Sequence, residues 1–260
     1  MSLKDLECCS LITSIQATEN KLINVLDFKP MERDPCQYEE QQAGGIIPVK
    51  ESCVRYANLS NNMIAELHDI SQHVNLQQLI LSNNQISQIH DLSALKFLRH
   101  LDLSFNCLNS IEDLVSATEL TSLNIRGNEI CSVQPLKNLW KLEKLDVSNN
   151  LLPHLEGLQD CHVLYEVVCA GNKIETVYDI EPLIQLSLLT HFDARKNPFQ
   201  EEELSRLRTL YRLPLLATLD GEVVKDEERV RAKNLHGYDK QIRQNNFHKY
   251  LPTEMFTDIR

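Results

Sequence analysis

An α/β solenoid, a parallel sheet wound through short return segments, is the fold class the sequence predicts, and three observations predict it. Asparagines stand at Asn62, Asn84, Asn106, Asn128, Asn150 and Asn172, 22 residues apart each time, and Asn197 follows after 25. Apolar residues hold register with them: Val54, Leu76, Leu98, Leu120, Leu142 and Leu164 lie eight before, and Ile64, Ile86, Leu108, Ile130, Leu152 and Ile174 two after. Ahead of each asparagine the chain alternates apolar and polar residues, as in Leu101-Asp102-Leu103. Self-similarity at a fixed period of this length marks a stack of structural units, each burying its apolar side on its neighbours.

Each column has a physical reading. A two-residue period over a short stretch suits a strand with one face buried, so every repeat supplies one strand to a parallel sheet lining a concave face. Past the strand the chain turns, leaving backbone groups that a neighbouring strand does not pair. A buried asparagine amide donates and accepts, which suits it to satisfy them. Asn62, Asn84, Asn106, Asn128, Asn150, Asn172 and Asn197 are therefore expected to form a structural ladder. In Ile89–Leu95 the apolar spacing of three suits a tight helical turn or 3₁₀ segment on the convex return.

The motif Leu-x-Leu-Ser-x-Asn-x-Ile-x-x-Ile-x-x-Leu at Leu79–Leu92 resembles the 22-residue subfamily of leucine-rich repeats, and the resemblance extends from Val54 to Gly237. That subfamily includes phosphatase regulators, a spliceosomal protein and many ciliary and axonemal proteins. The resemblance implies a horseshoe with a concave parallel sheet, a short helical or 3₁₀ convex side and a helical C-terminal cap. Asn197-Pro198, Leu213-Pro214 and Leu219-Asp220-Gly221, then Glu227-Glu228-Arg229, are similar to the family's cap. In the cap a final helix and strand cover the last repeat's edge, which would otherwise expose core and unpaired strand groups. One departure is visible: the family places Tyr-Arg about eight residues after Asn-Pro, where this chain has Ser205-Arg206, with Tyr211-Arg212 further on.

These readings divide the chain into an N-terminal cap or arm (1–50), about seven repeats (51–197), a C-terminal cap (198–237) and a tail (238–260). Leu11, Ile12 and Ile15, then Leu22, Ile23, Val25 and Leu26, supply apolar cover for the first repeat, and Lys225–Leu235 reads as a helix with acids early and bases late. In the tail, Phe247, Tyr250 and Phe256 are aromatic residues suited to anchoring in a partner's groove.

Composition narrows the function classes. The chain has 260 residues, 42% of them hydrophobic, enough for one sizeable core. Its net charge is −11; the first 196 residues hold 15 basic and 26 acidic groups, so the surplus lies in the body. An acidic body does not attract a phosphate backbone, which argues against direct nucleic-acid binding and permits a basic protein partner. No apolar run approaches the roughly 20 residues a bilayer requires, and the acidic start, with Asp5 and Glu7, is unlike a secretory signal. A cytoplasmic protein without membrane insertion, monomeric when alone, is the expectation.

Eight cysteines raise the question of disulfides or zinc. Cys107, Cys131 and Cys169 fall inside the repeat pattern, where a small apolar side chain suits the core. No Cys-x-x-Cys occurs, and Cys36, Cys53 and a histidine lack ligand spacing, so reduced thiols and no metal are expected. Glycine-rich phosphate loops, nucleophile elbows and zinc-protease motifs are missing from the sequence, and no cofactor or catalytic residue is assigned.

What remains is surface. Residues between the core positions of each strand project from the concave side, and those suited to a protein interface are Tyr56, Gln78, His100, Asp102, Lys144, Asp146, Glu166, His191 and Asp193. Phe105, Arg126, Tyr165 and Arg195 lie beside these rows. Trp140, between Leu139 and Leu142, is expected to be partly exposed on the solenoid's edge, over the adjacent turn. Aromatics, carboxylates and arginine are the residue types that anchor and register interfaces. The sequence thus predicts a protein-interaction scaffold rather than an enzyme. The family resemblance points first to a ciliary, axonemal or cytoskeletal assembly. A regulatory subunit of a protein phosphatase and a nuclear ribonucleoprotein adaptor are the alternatives.

Overall fold

The fold is taken from a computed structural model, which describes residues 12–26, 53–67, 70–90 and 92–235. The proposed tail anchors Phe247, Tyr250 and Phe256, as well as Leu11 and Cys36, lie outside them.

The strands, in chain order, are β1 (Ser14–Gln16), β2 (Tyr56–Asn58), β3 (Glu66–Leu67), β4 (Gln78–Ile80), β5 (Gln88–Ile89), β6 (His100–Asp102) and β7 (Ser122–Asn124). After these come β8 (Lys144–Asp146), β9 (Glu166–Val168), β10 (His191–Asp193), β11 (Thr218–Leu219) and β12 (Glu222–Val223). Ten of them form one sheet in the order β1-β2-β4-β6-β7-β8-β9-β10-β11-β12, parallel up to β11. Register is set by the two-residue alternation. Ala57, Leu79, Leu101, Leu123, Leu145, Val167 and Phe192 stand opposite one another at the centre of successive strands, all buried, while their flanking neighbours face outward. A one-residue slip would turn this row to water, so burial itself holds the register.

The asparagines run behind the strands as a ladder. Asn106 shows the pattern: its Nδ2 donates to Leu103 O of its own repeat and to Leu81 O of the repeat before, both at 3.0 Å. Its Oδ1 accepts the Ile86 N–H at 3.0 Å. Asn62, Asn84, Asn128, Asn150, Asn172 and Asn197 make the same three kinds of bond. Each amide therefore closes its own turn and ties it to the preceding coil. Just before each ladder residue the backbone turns left-handed, with φ between 53° and 69° at Asn61, Asn83, Phe105, Gly127, Asn149, Gly171 and Lys196. Asparagine and glycine tolerate that conformation. Phe105 is a bulky exception.

The N-terminal segment is a repeat in its own right. Asn62 Nδ2 donates to Ala17 O and its Oδ1 accepts the Leu22 N–H, as later rungs do with their predecessors. That places Asn20 at the ladder position, after Glu19 at φ 58°. Asn20 is exposed, and its amide donates to Thr18 O at 2.9 Å. Leu22, Val25 and Leu26 pack into the core, and His73 Nε2 meets Leu26 O at 3.1 Å.

The convex side changes along the solenoid. Early on, β3 pairs with β5, and Leu92–Leu98 forms two tight turns closed by Leu95 N–H to Leu92 O and Leu98 N–H to Leu95 O. From the fourth repeat strand onward the return is 3₁₀ helix, at Glu112–Ser116, Gln134–Asn138, Leu158–Asp160 and Val177–Gln185. The last of these starts on a capping box between Thr176 and Asp179. Cysteines follow the core only in part. Cys161 and Cys169 are buried, and burial pushes the Cys161 thiol up to about 12. Cys107 and Cys131, expected inside, are exposed, because the first and third residues after a rung alternate with the inward second.

At the C-terminal end, helix α1 (Ser205–Arg212), the β11–β12 hairpin and helix α2 (Asp226–Asn234) close the stack. Arg206, standing where the family pattern places arginine, donates to Leu219 O at 2.9 Å and pairs through Nε with Glu228 Oε1 at 2.7 Å. Glu228 Oε2 also accepts the Lys225 N–H, capping α2. These bonds hold the Glu228 carboxyl down at about 2, the Arg206 hydrogen bond contributing most.

Candidate functional site

Short strands leave a sheet face only three residues wide, so the outward side chains form rows running along the solenoid. The row at strand starts is Tyr56, Gln78, His100, Ser122, Lys144, Glu166 and His191; the row at strand ends is Asn58, Ile80, Asp102, Asn124, Asp146, Val168 and Asp193. All are exposed or half-buried. The strand-end polar side chains are held locally: Asp102 Oδ1 accepts the Ser104 N–H at 2.9 Å, Asn124 Oδ1 the Arg126 N–H at 3.1 Å, and Asp146 Oδ1 the Ser148 N–H at 2.9 Å. This pre-orders them without using up their polar capacity.

The face divides into two halves. Across β8 to β10 Lys144, Glu166 and Asp193 are already paired, while Asp146 is bonded only to Ser148. Lys144 Nζ lies 3.0 Å from Glu166 Oε2 and 5.3 Å from the Tyr165 ring centre. Hydrogen bonds to Glu166 and then Tyr165 hold the Lys144 pKa above its ordinary value. Tyr165 stands edge-on to His191, with ring centres 6.3 Å apart. Arg195 grips Asp193 with Nε 3.0 Å from Oδ1 and Nη2 2.6 Å from Oδ2. Burial raises the Asp193 pKa, but the Arg195 bonds and charge outweigh it and hold the carboxyl below its ordinary range.

Across β4, β6 and β7 the face instead sinks into a hollow of about 330 Å³, lined by Gln78, Ile80, His100, Asp102, Ser122 and Asn124 above Leu79 and Leu101. Phe105 stands at its strand-end rim. The ring is 47% exposed and lies against Gly127, and the Arg126 guanidinium sits 5.6 Å from its centre.

The residues singled out from sequence thus fall into two groups. His100, Asp102 and Gln78 meet in the hollow; Lys144, Tyr165, Glu166, His191, Asp193 and Arg195 form the paired region. Tyr56 lies beyond the hollow on β2, and Asp146 adjoins the paired half on β8. Sequence reasoning missed Arg55 and Arg99, exposed residues immediately before β2 and β6. Their separation of 44 residues, two full periods, was the available signal. Trp140 is 56% exposed on the solenoid's edge, with Lys141 Nζ 4.6 Å from its ring and bonded to Glu119. Among the described residues no cluster of His, Cys, Asp or Glu is arranged to hold a metal, and no helix is long and apolar enough to cross a membrane.

Similarity to known proteins agrees with this architecture. The family model described as "Leucine-rich repeat" matches residues 98–245, and a two-copy leucine-rich repeat model matches 74–116. The chain is 38% identical over 74 residues to the U2 small nuclear ribonucleoprotein A' of Emericella nidulans, an alignment covering 28% of this chain and 32% of that protein. It is 32% identical over 81 residues to the human protein of that name, covering 31% and 32% of the two chains. The aligned part is thus about a third of the length of these relatives. A solved internalin structure from Listeria monocytogenes superposes with a TM-score of 0.59 at 24% identity, over 69% of this chain and 52% of that one, a likeness of fold. With more than half its length matched by the family model and its repeats stacked as described, the chain belongs to the leucine-rich repeat family.

Proposed function

We propose that this chain is a protein-interaction module, monomeric when alone, that holds a partner polypeptide on the outward face of its sheet. One observation carries the reading: seven strands in strict register present rows of exposed aromatic, charged and amide side chains, with a hollow large enough to seat partner side chains. Fixed strands order those groups before binding, which lowers the entropy cost of association. The face offers binding chemistry rather than an assembled nucleophile and base.

The finer reading concerns the assembly. The ciliary, axonemal or cytoskeletal setting rests on the family resemblance alone. The similarity to U2 small nuclear ribonucleoprotein A' favours an adaptor in a nuclear ribonucleoprotein, touching protein rather than RNA, since the body is acidic.

Photo-cross-linking tests the face. A photoreactive residue at Gln78 or Ser122 should give adducts with a protein partner, while one at convex Lys137 should not; adducts from Lys137 alone would end the reading. For the assembly, nuclear residence and release from complexes on nuclease treatment are expected. Detergent-resistant retention in axonemes would overturn the ribonucleoprotein setting.

A further inference from the structure

Each coil enters the sheet through one kind of turn, closed by Leu98 N–H to Leu95 O in one coil and by its counterparts as far as Leu216 N–H to Leu213 O. Three residues before the strand, at the tip of that turn, stand Phe97, Glu119, Lys141, Val163, Leu188 and Leu215 in successive coils. Strand register stacks these tips into a ridge along the strand-start edge, beside the outward face rather than on it. The ridge has two parts. Lys141 Nζ bonds both Glu119 carboxylate oxygens at 2.6 Å and lies 4.6 Å from the ring centre of Trp140, one residue back. Beyond that clasp, the tips at 162–163, 187–188 and 214–215 hold no Lys, Arg, Asp or Glu, and Val163, Leu188 and Leu215 are all exposed. Trp140, itself more than half exposed, heads this uncharged row. Aligned apolar side chains mark a docking surface where scattered ones do not.

The row ends where the chain leaves the solenoid. Arg229 of α2 donates to Pro214 O and Leu216 O, on either side of Leu215, so α2 abuts the last tip. Beyond Leu235 the sequence continues through 236–260 and carries Phe247, Tyr250, Leu251, Met255 and Phe256. Reach is sufficient. From Leu235 to Phe247 the chain spans up to about 40 Å, whereas the row from Leu215 back to Lys141 crosses three coil spacings of about 4.8 Å, roughly 15 Å. A tether this short gives an effective concentration in the millimolar range, so a modest apolar contact fills the row. A second copy fits less well, since one tryptophan, one valine and two leucines fall short of the roughly 800 Å² per partner that a stable interface buries. We propose that residues 247–256 of the chain itself lie along this row, with their aromatic side chains against Trp140, Val163, Leu188 and Leu215. The aromatics suited to a partner's groove are then spent within the chain, and the outward face stays open beside them.

Trp140 is the one tryptophan of the sequence, so tryptophan fluorescence of the full chain reads this row alone. Acrylamide quenching is compared for the wild type, a Phe247→Ala/Tyr250→Ala/Phe256→Ala variant and Leu188→Asp. The last places a charge at an exposed position two coils from Trp140, where it does not touch the ring. A segment docked for most of the time shields the ring, so its release should raise the quenching constant about twofold or more in both variants. Phe97→Asp, across the Glu119–Lys141 clasp, should leave quenching as in the wild type. Equal quenching in all four proteins would overturn the proposal. So would a rise in the triple variant without one in Leu188→Asp, which would put the segment elsewhere. Protection that disappears on dilution would assign the row to a second copy and overturn it as well. None of these outcomes bears on the cross-links expected at Gln78 and Ser122, so the reading of the outward face stands or falls separately.

Discussion

The first and last described layers of the solenoid are built in different ways. At the N-terminal end one strand, β1, and one exposed rung, Asn20, form the outermost described layer, with the Asn20 amide spent on a local bond to Thr18 O. At the C-terminal end the final rung, Asn197, is buried and covered by two helices, a hairpin and an arginine bound to both α2 and Leu219 O. Asp220 there takes the Ala194 N–H at 2.9 Å, a carboxylate standing where inside the stack a backbone carbonyl of the next strand accepts, as Asp193 O does from the Cys169 N–H. Among the described residues, a rung's bridging bonds reach back to the coil before it, whereas Asn20 bonds within its own turn.

Interior rungs should separate most strongly from the ends. Asn128→Ala removes bonds to Leu103 O, Ile125 O and the Leu108 N–H, all buried, and should lower stability by about 3 kcal/mol in chemical denaturation. A loss below 1 kcal/mol would mean the ladder is decorative. Next, Arg206→Ala strips the C-terminal closure of its bonds to Leu219 O and Glu228 and should cost about 1–2 kcal/mol, with the first unfolding seen by hydrogen exchange at α1 and α2.

A smaller effect is set by acid. Because Glu228 is held near 2 in the fold, its stabilisation is full above the ordinary carboxylate range and drains away as pH falls towards 2. Glu228→Gln should flatten that part of the stability–pH curve, and an unchanged curve would show that Arg206 does not depend on the charge. Smallest of all, Asn20→Ala should change stability by no more than about 0.5 kcal/mol, as for an exposed residue without a bridging role. A cost equal to that of Asn128→Ala would erase the contrast between the ends.

The repeating interior was legible because its residues answer to one demand each, namely burial or amide bonding, at a constant period. Leu79, Leu101 and Leu123 had to face inward together, and Asn84, Asn106 and Asn128 had to bridge. The N-terminal repeat escaped notice because Asn20 and Asn62 stand 42 residues apart, which is not a multiple of 22. The pairing of β3 with β5 was hidden too, since two-residue strands leave no periodicity to read. Cys107 and Cys131 were placed inside on chemical type when the column, not the residue, decides depth. On the face, sequence could name Lys144, Glu166 and Asp193 as outward, but not that Lys144 and Glu166 were already spent on each other and Asp193 on Arg195. That depends on side-chain conformation across neighbouring coils.

Phe105 and Gly127 bear on anyone who would treat these coils as interchangeable modules. The Phe105 ring rests where a Cβ on residue 127 would come within 2.6 Å of its Cδ1, and Gly127 itself sits at φ 66°. The aromatic on one coil and the bare backbone on the next form a single choice made across two units. Cutting and re-splicing the array between them should strand a bulky ring against a new side chain, so a designer must transplant the two coils together or neither.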